Sequence, residues 1–388
     1  MNDKKVKNKI LVTVERRYLK YNDDYYVKGV EDRSFFTRYL SVFESILVLA
    51  RVTIVDEKPV GYEKVNDSRI GFCPLYTVGT GLTKFIQLVK LLEKNRDSHI
   101  IIRTPGVLAY LMFFACSLVK LNYSCEVVTN PREEAKNSTN NYILNSIFGF
   151  IFPLIFKSQI KRSKLCSFVT KNEIQRLYLT NEELKEDKYQ FNYSSISLND
   201  EFFYKREGFR DKDSINLLFV GVLDRPFKGL DVFIELISML PDNYRATVVG
   251  DGKLLPAYKS FAKNKNVYNR IDFVGYVSST EDKVSLYREG DIFILTSRRE
   301  GLPRVVIEAM ANSLPCLCSA VSGVSELIDN KYIYQIGDVM KLKSLVLSLD
   351  KAQLTEMAAV NFTNSLKYSS LKLYLKRKYF YESIKNYR

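Results

Sequence analysis

The stretch LTSRREGLPRVVIEAMANSLPCLCS, residues 295–319, decides how this chain is read. It opens on the end of an apolar run, DIFILTS (291–297), and passes through a polar loop. It resumes at Pro303 as an apolar helix, PRVVIEAMANS (303–313), followed by a second buried strand, LPCLCSA (314–320). Proline suits the first turn of a helix, where its missing N–H is not needed. Strand, loop, helix and strand in succession form the repeating unit of a parallel sheet. Glu300 stands in the loop. Glu308 lies five residues beyond Pro303, about 7.5 Å down the axis at ~1.5 Å per residue. The N–H groups at the helix start favour an anion or a hydroxyl-rich ligand, and Gly301 is read as permitting an unusual turn and close ligand approach. Two carboxylates around one helix start can each accept both hydroxyls of a vicinal diol, which is the chemistry of sugar or ribose recognition. The structural alternative is a solvent-facing Glu300 and a Glu308 satisfied in the core. The coincidence of Gly, Pro and both Glu on one strand–loop–helix frame favours a ligand site.

The same alternation continues outward. INLLFVGV (215–222), RATVVGDG (245–252), RIDFVGYV (270–277) and YIYQIGD (332–338) read as strands, and LDVFIELISML (230–240), KVSLYREG (283–290) and VSELIDN (324–330) as helices. Between strand 215–222 and the next helix, which starts near Gly229, the loop carries Arg225 and Lys228. Two cations at a helix start make a pyrophosphate cradle, with a guanidinium fork and a point charge beside the helix N–H groups. Gly221, Gly250 and Gly275 end strands of this sheet, where backbone can approach a nucleotide. Neither VVGDG nor DFVGYV fits GxGxxG or GxxxxGK[ST], so dinucleotide and P-loop readings lose support. VSGVSELI (321–328) adds a loop with Glu326 before a short helix.

The N-terminal half alternates too. KILVTV (9–14), LVLARVTI (47–54), HIIIRT (99–104), SCEVVTN (124–130) and KLCSFVT (164–170) read as strands. SFFTRYLSVFESIL (34–47) has helical periodicity with Ser34 at its N-cap, and PGVLAYLMFFACSLVKL (105–121) is an apolar helix. Residues 181–213 have a linker's polarity. The chain of 388 residues is therefore expected to form two domains, 1–205 and 206–365, with a basic helix at 366–388. Both are expected to be doubly wound α/β units with a cleft at the carboxyl ends of their sheets.

Charge follows this division. The net +14 comprises +8 on residues 1–205, none on 206–365, and +6 on 366–388. The asymmetry suits an anionic membrane surface or a phosphorylated partner. The six cysteines form no CxxC pair and one histidine serves the whole chain, so neither a disulfide framework nor a His/Cys zinc site is expected. The start, MNDKKVKNKILVTVERR, lacks a signal-peptide core, and no uncharged apolar span reaches 18 residues. YILNSIFGFIFPLIF (142–156), followed by KSQIKRSK, fits either an interface-lying helix or a buried helix with a basic end.

Read in order, FVGxL…KG, VVGDG, DFVGYV, DIFILTSxxEGLPRVVIEAMA, LP and SGVSELI resemble the C-terminal domain of retaining family-4 (group 1) glycosyltransferases over residues 215–340. Glu300 and Glu308 match that family's E-x7-E. VTKNEIQRLY (169–178) is similar to the segment closing the first half of bacterial polysaccharide members. The resemblance implies a GT-B fold: two doubly wound Rossmann-like domains, with the C-terminal helix returning to the first. Acceptor would bind the first domain and nucleotide sugar the second. Glu300 would hold the donor sugar, Glu308 the ribose and Lys228 the diphosphate. Gly301, Leu302 and Pro303 would offer loop backbone, with Gly221, Gly250, Gly275 and Tyr276 completing the donor set. Neither a metal nor a cofactor would be required, and the DxD-like Asp211–Lys212–Asp213 is read as solvated surface. Two departures stand out. The family's usual Arg is replaced by Val222, for which Arg225 is the candidate substitute. The glycine-rich first loop is replaced by VERRYLKYNDDYYVKG, with Arg16, Arg17, Tyr25 and Tyr26 as candidate acceptor contacts. His99 is read as structural, and Arg103 as the better-placed acceptor-side group.

The resemblance thus implies transfer of a sugar from a nucleotide diphosphate, by family habit uridine diphosphate, to a lipid-linked or soluble glycan in cell-surface polysaccharide synthesis. The expected location is the cytoplasmic face of the membrane, held peripherally. A GT-B-like epimerase or phosphorylase is weakened by the scarcity of His. A non-catalytic membrane-surface adaptor is weakened by the intact E-x7-E, and nothing suggests nucleic-acid binding.

Overall fold

Strands buried on both faces of a parallel sheet need near-continuous apolar sequence, and the runs named above become strands of two sheets, those at 270–277 and 332–338 forming the edges of the second. The structure, a computed structural model, describes residues 8–29, 31–76, 81–135, 142–209 and 213–387. It divides into two compact units, Met1–Tyr193 with Tyr374–Arg388, and Ser194–Leu373. The first division thus falls earlier than residue 205. The intervening segment packs within the second unit: Phe202 is buried, the Tyr204 N–H donates to the Ala311 carbonyl (2.8 Å), and Ser313 Oγ donates to the Tyr204 carbonyl (2.7 Å). The polar composition of 181–213 conceals these anchors, together with buried Tyr189 and Tyr193 in the first unit.

In the first unit the strands are β1 (Lys9–Tyr21), β2 (Asp24–Val27), β3 (Ser45–Ile54), β4 (Glu63–Lys64), β5 (Ile70–Tyr76), β6 (His99–Thr104), β7 (Ser124–Val127), β8 (Cys166–Phe168) and β9 (Phe191–Asn192). Parallel pairing gives the order β5-β3-β1-β6-β7-β8-β9, and β2 and β4 add an antiparallel ribbon at the far end of β1. The expected loop after residue 14 is thus mostly strand. β1 runs on to Tyr21, with a bulge between Val14 and Arg17 that leaves Glu15 outside the ladder. Glu15 Oε1 there accepts the Ala109 N–H (3.0 Å), capping the helix Val107–Leu118, whose own N-cap residue, Gly106, has no side chain to do so.

The expected helix 34–47 is shorter. It spans Arg33–Leu40, and Asp32 rather than Ser34 caps it, accepting the Phe35 N–H (2.9 Å). Its expected tail is instead the start of β3, which is paired on both sides by β1 and β5. His99 opens β6 and lies against Phe43, with ring centroids 5.5 Å apart, a structural setting.

Glu126 on β7 is 4% exposed and ties distant parts of this unit together. It accepts hydrogen bonds from the phenols of Tyr39 (2.8 Å), Tyr193 (2.8 Å) and Tyr381 (2.9 Å), and lies 3.2 Å from Arg103 Nε. Burial, then the neighbouring Glu126 charge, holds all three phenols well above their ordinary range, so they remain donors. Tyr381 belongs to the returning segment, so this cluster fastens the C-terminal helix to the first unit.

The segment 142–156 lies within a helix, Tyr142–Arg162, that is buried in part and exposed in part. Phe156 and Ile160 are buried in the core, whereas Ile147, Phe150, Ile151 and Leu154 are exposed, Phe150 by 72%. Among the described residues no helix is long and apolar enough to cross a membrane.

In the second unit the strands are β10 (Ile215–Val220), β11 (Tyr244–Val249), β12 (Ile271–Gly275), β13 (Ile292–Leu295), β14 (Cys316–Ser319) and β15 (Ile333–Tyr334). They are all parallel, in the order β12-β11-β10-β13-β14-β15. Cys316 and Cys318 share one face of β14 and are both buried, as is Leu317 on the opposite face. The strand order reverses between β10 and β13, and ligands of such sheets bind at the carboxyl ends beside that reversal.

Candidate active site

The loops after β10 and β13 leave the second sheet at that point and are locked together. The Arg298 N–H donates to the Phe227 carbonyl (2.7 Å), Arg298 Nη1 to the Pro226 carbonyl (2.7 Å), and Thr296 Oγ1 to the Lys228 carbonyl (2.9 Å). The Arg298 guanidinium also forks onto Asp231. Contact this close requires glycine at 229, where φ is +68° and a Cβ would stand 2.1 Å from the Thr296 carbonyl oxygen. Gly221 matters for space: a Cβ there would meet Lys228 Cγ at 2.9 Å. The Lys228 stem therefore lies across the end of β10.

The Lys228 ammonium reaches Glu300 Oε1 at 2.6 Å, and Ser297 Oγ donates to the same oxygen (2.8 Å). The Lys228 and Glu300 side chains keep 23% and 16% exposure, so a ligand can reach the pair. Arg225 precedes the short 3-10 turn Pro226–Lys228, is exposed, and stands 5.8 Å from the Phe227 ring centroid, with Arg299 at 4.1 Å from the same ring. Val222 is 63% exposed, leaving the surface open where the resembling family usually has Arg.

Pro303 is the N-cap of the helix Arg304–Ala311, whose buried face includes Glu308. Tyr287 donates its phenol to Glu308 Oε2 (2.7 Å), and Lys283 Nζ lies 2.8 Å from the same oxygen. Burial and then Glu308 itself keep the Tyr287 phenol well above its ordinary range, so it stays a donor. Each motif glutamate is therefore met by its own lysine, Glu300 by Lys228 and Glu308 by Lys283.

Gly250 and Gly275 continue the sheet past its strand ends, the Gly250 N–H donating to the Gly275 carbonyl (2.8 Å), and Tyr276 beside them is exposed. The unusual turn expected at Gly301 is absent there. The left-handed residue is Gly323, whose Cβ would stand 2.6 Å from the Gly301 carbonyl oxygen, so the loop after β14 supports Gly301 and the buried Leu302.

In the first unit Arg103 is not offered to a ligand. It is 9% exposed, lies between Glu126 and Glu31 (3.6 Å), and stands 4.4 Å from the Phe35 ring centroid. Arg16 is exposed and pairs with Glu31 (3.0 Å), and Arg17 is exposed. Tyr25 stacks on Phe72 at 4.1 Å, and Tyr26 is buried. Asp211 and Lys212 lie outside the described residues. Among the described residues no group of three or more His, Cys, Asp or Glu is placed to hold a metal ion. Sequence reasoning missed Lys283, Tyr287 and Ser297. Their partners are the two motif glutamates, which only packing brings to them.

The profile of the family described as "Glycosyl transferases group 1" matches residues 200–367. The second unit, Ser194–Leu373, thus resembles the group 1 glycosyl transferases over nearly its whole length. Protein CapJ of Staphylococcus aureus is similar to this chain over most of its length, 28% identical over 339 residues, 84% of this chain and 82% of CapJ. An Escherichia coli UDP-Gal:alpha-D-GlcNAc-diphosphoundecaprenol alpha-1,3-galactosyltransferase is 23% identical over 133 residues, 33% of each chain. Among solved structures, that of the lipopolysaccharide outer core galactosyltransferase WaaB without ligand superposes with a TM-score of 0.66 at 14% identity, covering 97% of this chain and 99% of WaaB. Such likeness establishes the GT-B fold for this chain.

Proposed function

We propose that this protein is a group 1 glycosyltransferase that moves a sugar, with retention of anomeric configuration, from a nucleoside diphosphate sugar to a lipid-linked glycan acceptor during cell-surface polysaccharide synthesis. The observation that carries this reading is the pair of charge-matched glutamates at the sheet reversal, Glu300 with Lys228 and Glu308 with Lys283. Glu300 accepts hydroxyls of the donor sugar, with Gly301, Leu302 and Pro303 beside it. Glu308 accepts the ribose diol. Lys228 and Arg225 offset the diphosphate charge, so no divalent cation is required. Gly221, Gly250, Gly275 and Tyr276 line the nucleotide. In the reaction the bond from the anomeric carbon to the diphosphate breaks and the acceptor oxygen bonds on the same face. The acceptor proton passes to the departing phosphate oxygen. The diphosphate gains charge as it leaves, so cations fixed beside it stabilise the transition state more than the ground state.

Uridine as the base and a polyprenyl-type acceptor are supported by the donor and acceptor in the name of the Escherichia coli relative, and polysaccharide synthesis by WaaB's description. Acceptor binding falls to the first unit, with Arg16 and Arg17 as the surface cations available there. The exposed apolar face of helix Tyr142–Arg162, with Lys157 and Arg162 exposed in its C-terminal part, suits peripheral attachment to an anionic cytoplasmic leaflet.

One experiment tests donor, metal and membrane together. Labelled uridine diphosphate sugars are incubated with the protein and a bacterial lipid extract in anionic or neutral vesicles, with and without EDTA. The expected result is label in lipid-linked product, undiminished by EDTA. Protein sedimentation should be greater with anionic vesicles and fall with salt, since screening at high ionic strength removes much of an attraction worth about 1 kcal/mol per surface cation. No transfer from any donor counts against the reading. Loss of transfer in EDTA counts against metal independence, and equal sedimentation with both vesicle types against the membrane surface.

A further inference from the structure

The two lysines that meet the motif glutamates differ in origin. Lys228 lies on the loop after β10, whereas Lys283 stands on the helix Thr280–Glu289, which carries Tyr287 one turn further on. Glu308 is 8% exposed, and its partners among the described residues, the Tyr287 hydroxyl at 2.7 Å and the Lys283 ammonium at 2.8 Å, both meet Oε2. A carboxylate held by two groups on one oxygen cannot rotate without breaking both contacts, so its other oxygen has a fixed direction. Lys283 is itself restrained, with a side chain 28% exposed and an ammonium 5.8 Å from the Phe202 ring centroid.

Resting on the reading that Glu308 holds the ribose, we propose that Lys283 is a positioning residue for the nucleotide: with Tyr287 it pins Glu308 Oε2, so that Oε1 meets the ribose diol and the site prefers a ribonucleotide over its 2′-deoxy counterpart. Lys283 acts through Glu308 and touches no reacting atom. A pocket built to bond a hydroxyl rejects the analogue lacking it, because a buried polar group is then left unpaired. Without the ammonium, Tyr287 alone restrains the carboxylate. Glu308 can then turn toward water, and the missing 2′-hydroxyl ceases to matter. The contact is the same in the ground and transition states, so its loss raises KM and leaves kcat unchanged.

The test titrates ADP, GDP and UDP and their 2′-deoxy forms into the full-length wild type and its Lys283→Met, Lys283→Arg and Glu308→Ala variants, with steady-state kinetics on the matching nucleotide sugar. The wild type should prefer the ribose form of its best nucleotide by about tenfold, the worth of one hydrogen bond to a charged group. Lys283→Met should reduce that preference to within about threefold and raise KM without changing kcat, and Lys283→Arg should restore it. Thermal unfolding checks each fold, and Lys283→Gln replaces Lys283→Met if the latter does not fold. An unchanged preference in the Met variant, or an equal loss of affinity for both forms, overturns the proposal. If Glu308→Ala binds like wild type, or no nucleotide binds the wild type, the ribose reading itself fails and this inference with it. If Glu308→Ala loses affinity while Lys283→Met keeps the wild-type preference, only the inference about Lys283 fails.

Discussion

Glu300→Ala is expected to lower turnover by about a hundredfold to ten-thousandfold, from the loss of one or two charge-assisted hydrogen bonds to the donor sugar. Nucleoside diphosphate binding should stay within about threefold of wild type, because a carboxylate that contacts only the sugar contributes nothing to the rest of the donor. The ion pair sharpens this expectation. Glu300 Oε1 holds the Lys228 ammonium at 2.6 Å, so a diphosphate must share that cation with the carboxylate. Alanine removes the competitor, and nucleoside diphosphate affinity should therefore not fall. Single-turnover assays with labelled donor and titration of the bare diphosphate separate the two effects. Turnover within tenfold of wild type would remove Glu300 from the chemistry.

The largest expected effect on stability lies in the other unit. Glu126→Ala takes from the buried Arg103 guanidinium the nearer of its two carboxylates, leaving Glu31 at 3.6 Å, and leaves three phenols, those of Tyr39, Tyr193 and Tyr381, without their shared acceptor. Removing one partner of a buried ion pair costs about 3–5 kcal/mol, a large share of the ~5–15 kcal/mol that holds a typical domain folded. Tyr381→Phe should cost only about 1 kcal/mol, since it removes one hydrogen bond and leaves the charge pair intact. Denaturant titration of the full chain measures both. A loss under about 1 kcal/mol for Glu126→Ala would mean that water reaches Arg103 in the folded protein.

These two clusters show why one was legible in the sequence and the other was not. Glu300, Gly301, Pro303 and Glu308 lie on one strand–loop–helix unit, so local spacing already places them together. The strands β13 and β14 are buried at every residue and read as near-continuous apolar runs. β5 carries Gly71 and Pro74, residues that disguise a strand, and proline is tolerated there because, among the described residues, β5 pairs only with β3. The tail of the expected helix 34–47 became β3 because two neighbouring strands outcompeted a marginal helical period. Arg103 was read as a ligand group because a polar residue at a strand end looks the same whether it meets a ligand or a buried acid. Its partners Glu31 and Glu126 come from elsewhere in the chain. Lys283 was invisible for the same reason, since only the packing of its helix brings it to Glu308.

Calorimetric titration of uridine diphosphate into the full-length wild type and its Lys228→Ala and Glu308→Ala variants tests the donor site most directly. The account predicts saturable binding by the wild type, weakened about ten- to a hundredfold by each substitution, as expected for losing a hydrogen bond to a charged group. With uridine alone, Lys228→Ala should bind like wild type and Glu308→Ala should still bind more weakly. Equal binding of uridine diphosphate by all three proteins would contradict the placement of the donor on these residues.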